Sequence, residues 1–382
     1  MPGRYLDALV PPGAEADAPL RAALARDAAK RLTRALAAWR RLDAGAPALR
    51  RFAGMEPASG RFRCWLAEVE DAIAIARERG RAPLIDLVAD AGFLAQAAPS
   101  GRIPRDFTRR AHREALRSLR ASAAGLGEEP APFGRLLQER GTRTIERARV
   151  PRFEARVGRA MTLLESAWPE AASMIRSRVW RIVPVAAEGT VSYSGAREPG
   201  IAYIHVASAP DVRMAEDLVH ESTHMRLHEI EALHPLVTRA ALGGPRFYSP
   251  WRREWRPLRG LVHAACTFTV GAMYFERMLT SRARLSASRR RWLARRLLEE
   301  RASVAIALRA LRGASREGLL TASGRRVLAA VAREHAGLAA GARRRERWLA
   351  STPAGRVELS RVAALVSRLR SRPLRWSWEA RS

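Results

Sequence analysis

His220, Glu221 and His224 are the residues of this chain best suited to chemistry, because they form a His-Glu-x-x-His sequence. The apolar residues around them recur at helical spacing, and residues four apart in an α-helix lie on one face, about 6 Å apart along the axis. Two imidazoles so placed can bind one metal ion, and the adjacent carboxylate can reach towards a water or an oxidant on that metal. The spacing therefore predicts a metal site on a helix, in preference to a structural histidine pair.

The same helix does not supply an obvious third ligand. The metzincin pattern requires Gly three residues and His six residues after the second histidine, but Leu227 and Ile230 stand there. His228 continues the four-residue spacing, although it lies about 12 Å along a straight helix from His220. These two cannot share one ion with His224, so His228 is interpreted as a supporting hydrogen-bond donor or a surface residue.

The third ligand is therefore expected from a later helix. Glu254 and Glu276 are carboxylate candidates, although neither stands in the Glu-x-x-x-Asp setting of many zinc peptidases. His263 lies in an apolar helical run, and the two alanines after it allow another helix to approach closely. A lone histidine in such a run is commonly a core residue, but a site with two ligands needs a third. We therefore favour His263.

The elements that position these residues are predicted from hydrophobic periodicity, caps and turn residues. Asp17 and Asp211 stand where helix N-caps are expected, and Pro257 stands at the start of the helix that carries His263. A loop is predicted at 242–251. The strand-like runs are 179–185, 190–194 and 201–206. The remaining helical patterns lie at 17–51, 62–78, 82–97, 106–123, 133–148, 151–178 and from 282 to the end, with breaks near Gly313, Gly324, Pro353 and Pro373.

These patterns predict an α+β protein that is mostly α. A small sheet followed by a His-Glu-x-x-His helix is the arrangement of zincin-like folds, in which an edge strand lies over the metal cleft. The sequence thus predicts a zincin-like metal domain at 179–283, between an N-terminal helical region at 1–178 and a C-terminal helical region at 284–382. The sequence carries no signal for an oligomeric state.

Composition narrows the function classes. The chain has 382 residues, and 47% of them are hydrophobic, so it can bury a substantial core. The two cysteines, Cys64 and Cys266, are too few for a disulfide framework and suit a reducing compartment. The first residues lack the pattern of a signal peptide, and no run of about 18 uncharged apolar residues exists. These features predict a protein of the bacterial cytoplasm with no membrane partner.

The formal net charge is +30, and nearly all of the positive charge is arginine because Lys30 is the only lysine. Such a charge suits an acidic partner, either a nucleic acid or an acidic peptide. The arginines are spread through the chain, without the interleaved aromatics or the recognisable module of a nucleic-acid site. A non-catalytic, arginine-rich nucleic-acid-binding protein is therefore kept only as the third hypothesis.

Three segments together resemble a known family: Leu218–His224, Tyr248–Arg252 and Arg256–Ala264. They are similar to segments of the HEXXH-motif peptide-modification proteins, which are found beside ribosomally made, post-translationally modified peptides. That family is regarded as iron(II)- and 2-oxoglutarate-dependent peptide β-hydroxylases. The resemblance covers roughly residues 179–280 and implies hydroxylation at Cβ of a residue in a precursor peptide substrate. The helical flanks match only in general character, and their positive charge would suit an acidic leader on that peptide.

The resemblance implies Fe(II) held by the ligands His220, His224 and His263. From residue chemistry alone, three imidazoles and a water equally describe a catalytic zinc site. The usual iron oxygenase triad has two histidines and one carboxylate, so a three-histidine site departs from it. The alternative function is therefore a zinc metallopeptidase with Glu221 as general base. In the oxygenase, Glu221 would instead hold a ligand or orient the substrate.

The oxygenase also needs a cation for the distal carboxylate of 2-oxoglutarate, and the fork of an arginine pairs well with carboxylates. The candidates just before the third histidine are Arg252, Arg256 and Arg259. Arg259 is one helical turn from His263 and Arg256 is two turns away, so reach favours Arg259 whereas the resemblance favours Arg256. Tyr248 and Trp251, in the predicted loop, either line the cleft or act as hydrophobic plugs.

Overall fold

The computed structural model describes residues 4–11, 14–41, 58–79, 143–144, 149–186, 191–208, 210–370 and 375–376. Most of these residues are helical, and the strands form two small three-stranded sheets. The predicted class, α+β and mostly α, is confirmed. The helices predicted at 82–97 and 106–123 lie outside the described residues. Among the described helices, none combines the length and the apolar composition that crossing a bilayer requires.

The chain divides into two compact units, each described by itself. The N unit comprises Asp17–Ala160 and Ser173–Glu229, and the C unit comprises Met1–Ala16, Met161–Ala172 and Ile230–Ser382. The functional division at 1–178, 179–283 and 284–382 stays a prediction.

Among the described residues, the first part of the chain has five α-helices and one sheet, preceded by short 3-10 helices at Arg4–Asp7 and Ala14–Asp17. Helices α1–α5 are Ala18–Arg40, Gly60–Arg79, Val150–Ala167, Pro169–Arg178 and Asp211–Leu233, and strands β1–β3 are Arg143–Thr144, Arg181–Ala186 and Ile201–His205. Strand β2 pairs in parallel with β3, from Arg181 opposite Ile201 to Val185 opposite His205, and β1 pairs antiparallel with β2. Gly200 enters β3 at a φ of +82°, and a Cβ there would overlap the Trp180 ring. This close approach requires glycine.

Three predictions in this part of the chain are corrected. The single helix predicted at 151–178 is divided at Trp168, because Pro169 lacks an N–H donor and disfavours helical backbone at the preceding residue. The helix predicted at 133–148 is wrong at Arg143–Thr144, which form β1. The segment predicted as a strand at 190–194 does not form a full strand in its described residues. It forms only an isolated antiparallel bridge between Tyr193 and Tyr203.

The C unit is a helical array with one hairpin. Helices α6–α11 are Arg239–Leu242, Leu258–Thr280, Ala287–Arg316, Ala322–Gly337, Ala339–Ala350 and Pro353–Arg370, and strands β4–β6 are Arg246–Ser249, Glu254–Pro257 and Arg375–Trp376. Strand β4 pairs antiparallel with both β5 and β6. The prediction of a loop at 242–251 is therefore wrong at Arg246–Ser249, which form β4. Two residues of this strand, Phe247 and Tyr248, are buried. Helix α7 starts directly after Pro257, as predicted. Helix α8 ends at Arg316, three residues after Gly313, and α11 begins at Pro353, close to two of the predicted breaks.

Candidate metal centre

Helix α5 exposes histidines on one face. Between Met214 and Ile230 every residue of this helix is buried except His220, His224 and His228, which are partly exposed. These three residues are spaced four apart, so they share one face of the helix. We call them the imidazole row. The accessible face of this buried stretch of α5 is thus made of imidazoles, which are common ligands of transition metals.

The three rings of the imidazole row are not equally spaced. The centroids of His220 and His224 lie 4.9 Å apart with an interplanar angle of 70°, whereas those of His224 and His228 lie 6.3 Å apart. Metal–nitrogen bonds to imidazole are about 2.0–2.1 Å long. The closer pair, which the sequence predicts as ligands, is therefore within easier reach of one ion than the second pair.

Glu221 lies off the imidazole row and is 2% exposed. The Ser194 hydroxyl donates to its carboxylate, with 2.8 Å between Oγ and Oε2. One turn earlier, Asp217 accepts a hydrogen bond of 2.8 Å from the Ser192 hydroxyl. The chain segment at 192–194 therefore fixes the carboxylate of the His-Glu-x-x-His sequence and aligns α5.

A buried ionic network holds the opposite face of α5. Glu229 accepts from Arg63 of α2 at 2.6 Å and from Arg178, the last residue of α4, at 3.0 Å. Asp17 accepts from Arg226 of α5 at 3.3 Å and also pairs with Arg178. The side chains of all five residues are at most 9% exposed. This network anchors the helix that carries the histidines to the rest of the N unit.

Asp17 stands at the N-cap of α1, as predicted, but its side chain makes no capping hydrogen bond. Its carboxylate belongs to the network instead. Burial acts to raise the pKa of Asp17, but the charges and hydrogen bonds of Arg178 and Arg226 outweigh it and hold the pKa below its ordinary value of 3.8. Burial likewise acts to lower the pKa of Arg178, but Glu229 and Asp17 raise it above its ordinary value.

Asp17→Asn is expected to weaken the acid dependence of stability. A carboxyl whose pKa is lowered in the folded state contributes stability above its unfolded pKa and loses it as the pH falls through the folded pKa. The native chain should therefore lose more stability below about pH 4 than the variant does. Urea unfolding of both proteins between about pH 2.5 and pH 6 measures this difference. Parallel curves for the two proteins would contradict the role of Asp17.

In the C unit, the end of α5 and helix α7 hold a charged group of three side chains. Glu231 accepts from Arg259 through both carboxylate oxygens, with Nη2 to Oε2 at 2.6 Å and Nε to Oε1 at 3.0 Å. The other partner of Oε2 is His263, whose Nε2 lies 2.9 Å away. The residue His263 is 6% exposed. The predicted third ligand is thus a buried histidine with a carboxylate partner.

Glu231 lies one turn beyond His228 on the same unbroken helix. Together with His263, these two residues supply the side-chain types of a group that could hold a metal ion. Within the described ranges this is the one such group of histidine, cysteine or acidic side chains. Sequence reasoning assigned His228 a supporting or surface role and did not single out Glu231. A signal for this pair was present in the sequence, because the His-x-x-Glu spacing of His228 and Glu231 places both on the helix face of His220 and His224.

The other predicted binding residues occupy different positions in the C unit. Arg256 lies on β5 with its Nε 3.4 Å from Glu254, and its side chain is 38% exposed. Arg252 is exposed between β4 and β5. Glu276 accepts from two arginines of α10. The two carboxylates considered as third ligands are therefore ion-paired to arginines.

Trp251 and Tyr248 both pack within the C unit. The Trp251 Nε1 donates to Glu300 at 2.6 Å, and its ring stacks on Phe268 with 4.4 Å between centroids. Tyr248 is 8% exposed and meets the ring of Trp255 edge to face, with 5.8 Å between centroids. These contacts are typical of hydrophobic plugs, the second of the two roles considered for these aromatics.

Comparisons with known proteins do not assign this geometry to a family. No protein-family model matches the sequence. No curated protein matches it with significance either. The family resemblance of the motifs at 179–280 therefore stays an expectation, and the function of the site is a matter for proposal.

Proposed function

We propose that the chain is an iron(II)- and 2-oxoglutarate-dependent hydroxylase acting at Cβ of a residue in a ribosomally made precursor peptide. The observation that carries this proposal is the imidazole row on the otherwise buried stretch of α5 between Met214 and Ile230. The composite motif that resembles the HEXXH-motif peptide-modification proteins supports the choice of reaction. The proposal includes a zincin-like arrangement of the catalytic region and a cytoplasmic setting, where the precursor peptide is made.

The donor set of the chain fits the proposed metal. Imidazole is a ligand that both iron and zinc accept, and partly exposed imidazoles leave positions open for other ligands. The proposed ligands are His220, His224 and His263, and the alternative set replaces the first two with His228 and Glu231. When bound, the iron would activate dioxygen, with 2-oxoglutarate as the co-substrate that is oxidised to succinate and CO2 while the second oxygen atom enters a C–H bond of the peptide.

Glu221 is proposed to position the metal-binding turn of α5. A general base on a metal-bound water must be within hydrogen-bond reach of that water. Glu221 is buried and receives a hydrogen bond from Ser194, off the accessible imidazole row. These contacts support the positioning role that an oxygenase requires over the base that a peptidase requires.

The cosubstrate is proposed to bind Arg256. Arg259 already donates to both carboxylate oxygens of Glu231, so a second carboxylate could bind there only by displacing Glu231. The side chain of Arg256 is 38% exposed, and its Nε lies 3.4 Å from Glu254, a longer distance than the 2.6 Å between Arg259 and Glu231. The structure therefore supports the candidate favoured by the resemblance over the one favoured by reach along the helix.

Arg256→Gln is expected to weaken 2-oxoglutarate binding by about tenfold or more without changing the iron content. A charge-assisted, bidentate arginine–carboxylate pair contributes about 1.5–3 kcal/mol, and glutamine cannot replace its charge. Titration of the anaerobic iron protein with 2-oxoglutarate measures the dissociation constant. Arg239→Gln, at an exposed arginine that is not a candidate, is the matched control and should bind as the native protein does. Equal weakening in the two variants would argue for a general charge effect.

A zinc metallopeptidase is the second candidate, because one observation favours it. Two histidines and one glutamate, the types found at His228, Glu231 and His263, form a donor set of catalytic zinc sites. The same set also serves iron oxygenases. Metal identity and reaction product therefore have to separate the two functions.

The deciding experiment is anaerobic purification with metal analysis, followed by addition of 2-oxoglutarate under visible absorption. The hydroxylase is supported by a weak charge-transfer band with the iron form and by oxygen-dependent conversion of 2-oxoglutarate to succinate. Tight zinc, no response to 2-oxoglutarate and peptide cleavage in the absence of oxygen would replace it with the peptidase. Glu221→Gln would then be the next variant, because loss of a general base abolishes hydrolysis.

A further inference from the structure

A groove runs along helices α8 and α11 in the C unit and is lined in part by α9. It consists of two adjoining cavities of about 710 and 730 Å³. Both cavities are lined by Ala302, Ala305, His335, Val366 and Arg370. Because they share these residues, the two cavities form one continuous trough.

The floor of the trough is apolar and open to solvent. Leu359, Val362 and Val366 lie three and four residues apart along α11, and Leu298 lies on the α8 side. Ala305 is exposed and leaves room above α8 because its side chain is small. The trough follows α8 from Leu298 to residue 312, about 21 Å of helix, which is the length of roughly four turns of a second helix.

The rim of the trough carries unneutralised positive charge. Its arginines are Arg301, Arg309, Arg312 and Arg370, and Glu346 is the acidic residue that lines it. Within the described ranges, none of these four arginines forms an ion pair. Earlier in α8, by contrast, Arg295 and Arg296 pair with Glu299 at 2.6 Å and 3.2 Å. Burial and the nearby charge of Arg343 lower the pKa of Arg301 below its ordinary value.

We propose that this groove binds an acidic amphipathic helix of a partner polypeptide. The apolar stripe of such a helix would pack on Leu298, Leu359 and Val362, and acidic side chains beside the stripe would pair with the rim arginines. The apolar floor favours a peptide over a nucleic acid, whose backbone is recognised chiefly by phosphate contacts. Every lining residue belongs to α8–α11, so the proposal is independent of the metal site.

Binding of a labelled model helix to the full chain tests the proposal. The probe is a peptide of about 18 residues with leucine on one face and glutamate beside it, measured by fluorescence anisotropy. Ala305→Trp should fill the trough and weaken binding by about tenfold or more. Joint Arg309→Glu and Arg312→Glu substitution should weaken it by about tenfold, because two attractions become repulsions. Joint Arg282→Glu and Arg284→Glu, exposed and outside the groove, is the matched control.

The outcomes separate peptide docking from general charge attraction. Unchanged binding in the control, and weak binding of a scrambled peptide of the same composition, would support the groove. Equal losses in the control pair would overturn the proposal, as would equal affinity for the scrambled peptide. A single-stranded oligonucleotide that binds more tightly and responds to the same groove variants would overturn it in favour of nucleic acid. Circular dichroism of each variant ensures that only folded proteins are compared.

Discussion

His263→Ala is expected to lower the affinity of the protein for Fe(II) by more than about 100-fold, because outer partners of metal ligands alone already contribute about 10–100-fold. His263 belongs to both candidate ligand sets, so its loss leaves two ligands in either arrangement. The measurement is the iron content after anaerobic loading and desalting. The absorption band formed with 2-oxoglutarate should disappear in the same variant.

His335→Ala is the matched control for this substitution. Its imidazole Nε2 lies 3.0 Å from the backbone carbonyl of Arg301, and it belongs to neither ligand set. Native iron content in the control and loss in His263→Ala support the metal site. Full iron content in both variants would exclude His263 as a ligand and leave it as a core histidine paired with Glu231.

Single substitutions on α5 then choose between the two ligand sets. If His220 and His224 complete the site, His220→Ala loses iron and His228→Ala keeps it. The reverse result would assign the metal to His228, Glu231 and His263. Either result gives the chemistry of the site, since the first set has three imidazoles and the second has a carboxylate.

Glu229→Gln is expected to lower the free energy of unfolding by about 3–5 kcal/mol. The substitution leaves the buried guanidiniums of Arg63 and Arg178 without the carboxylate that accepts from both. An uncompensated buried charge is costly because the protein interior cannot solvate it as water does. Urea unfolding followed by far-ultraviolet circular dichroism measures the change.

Arg159→Ala is the matched control for this network. It breaks the ion pair between Arg159 and Asp211, at the first turn of α5, whose side chains are 57% and 34% exposed. Exposed ion pairs contribute little, so the unfolding midpoint should scarcely move. If both variants unfold at the native midpoint, the buried network does not anchor α5. If both are equally destabilised, burial is not the cause.

Local signals in the sequence were sufficient for the parts of the fold that depend on neighbours along the chain. The His-Glu-x-x-His helix, the strands at β2 and β3, and the start of α7 after Pro257 follow from periodicity and from the fixed φ of proline. The hairpin at β4 and β5 was missed because strand pairing depends on partners that a short window does not contain. The break at Pro169 could have been read from the sequence, since proline interrupts a helix.

Residue types and spacing are enough to nominate His220, His224 and His263 as ligands and to place the first two on one helical face, although they did not single out Glu231. The partners of each side chain depend on the tertiary structure. In the fold, Asp17 joins a buried ionic network instead of capping a helix. Arg259 pairs with Glu231, and Glu221 is buried and accepts a hydrogen bond from Ser194. Helical spacing fixes directions within one helix, whereas these contacts join residues that are distant in sequence. Their formation depends on packing and desolvation, which no local pattern encodes.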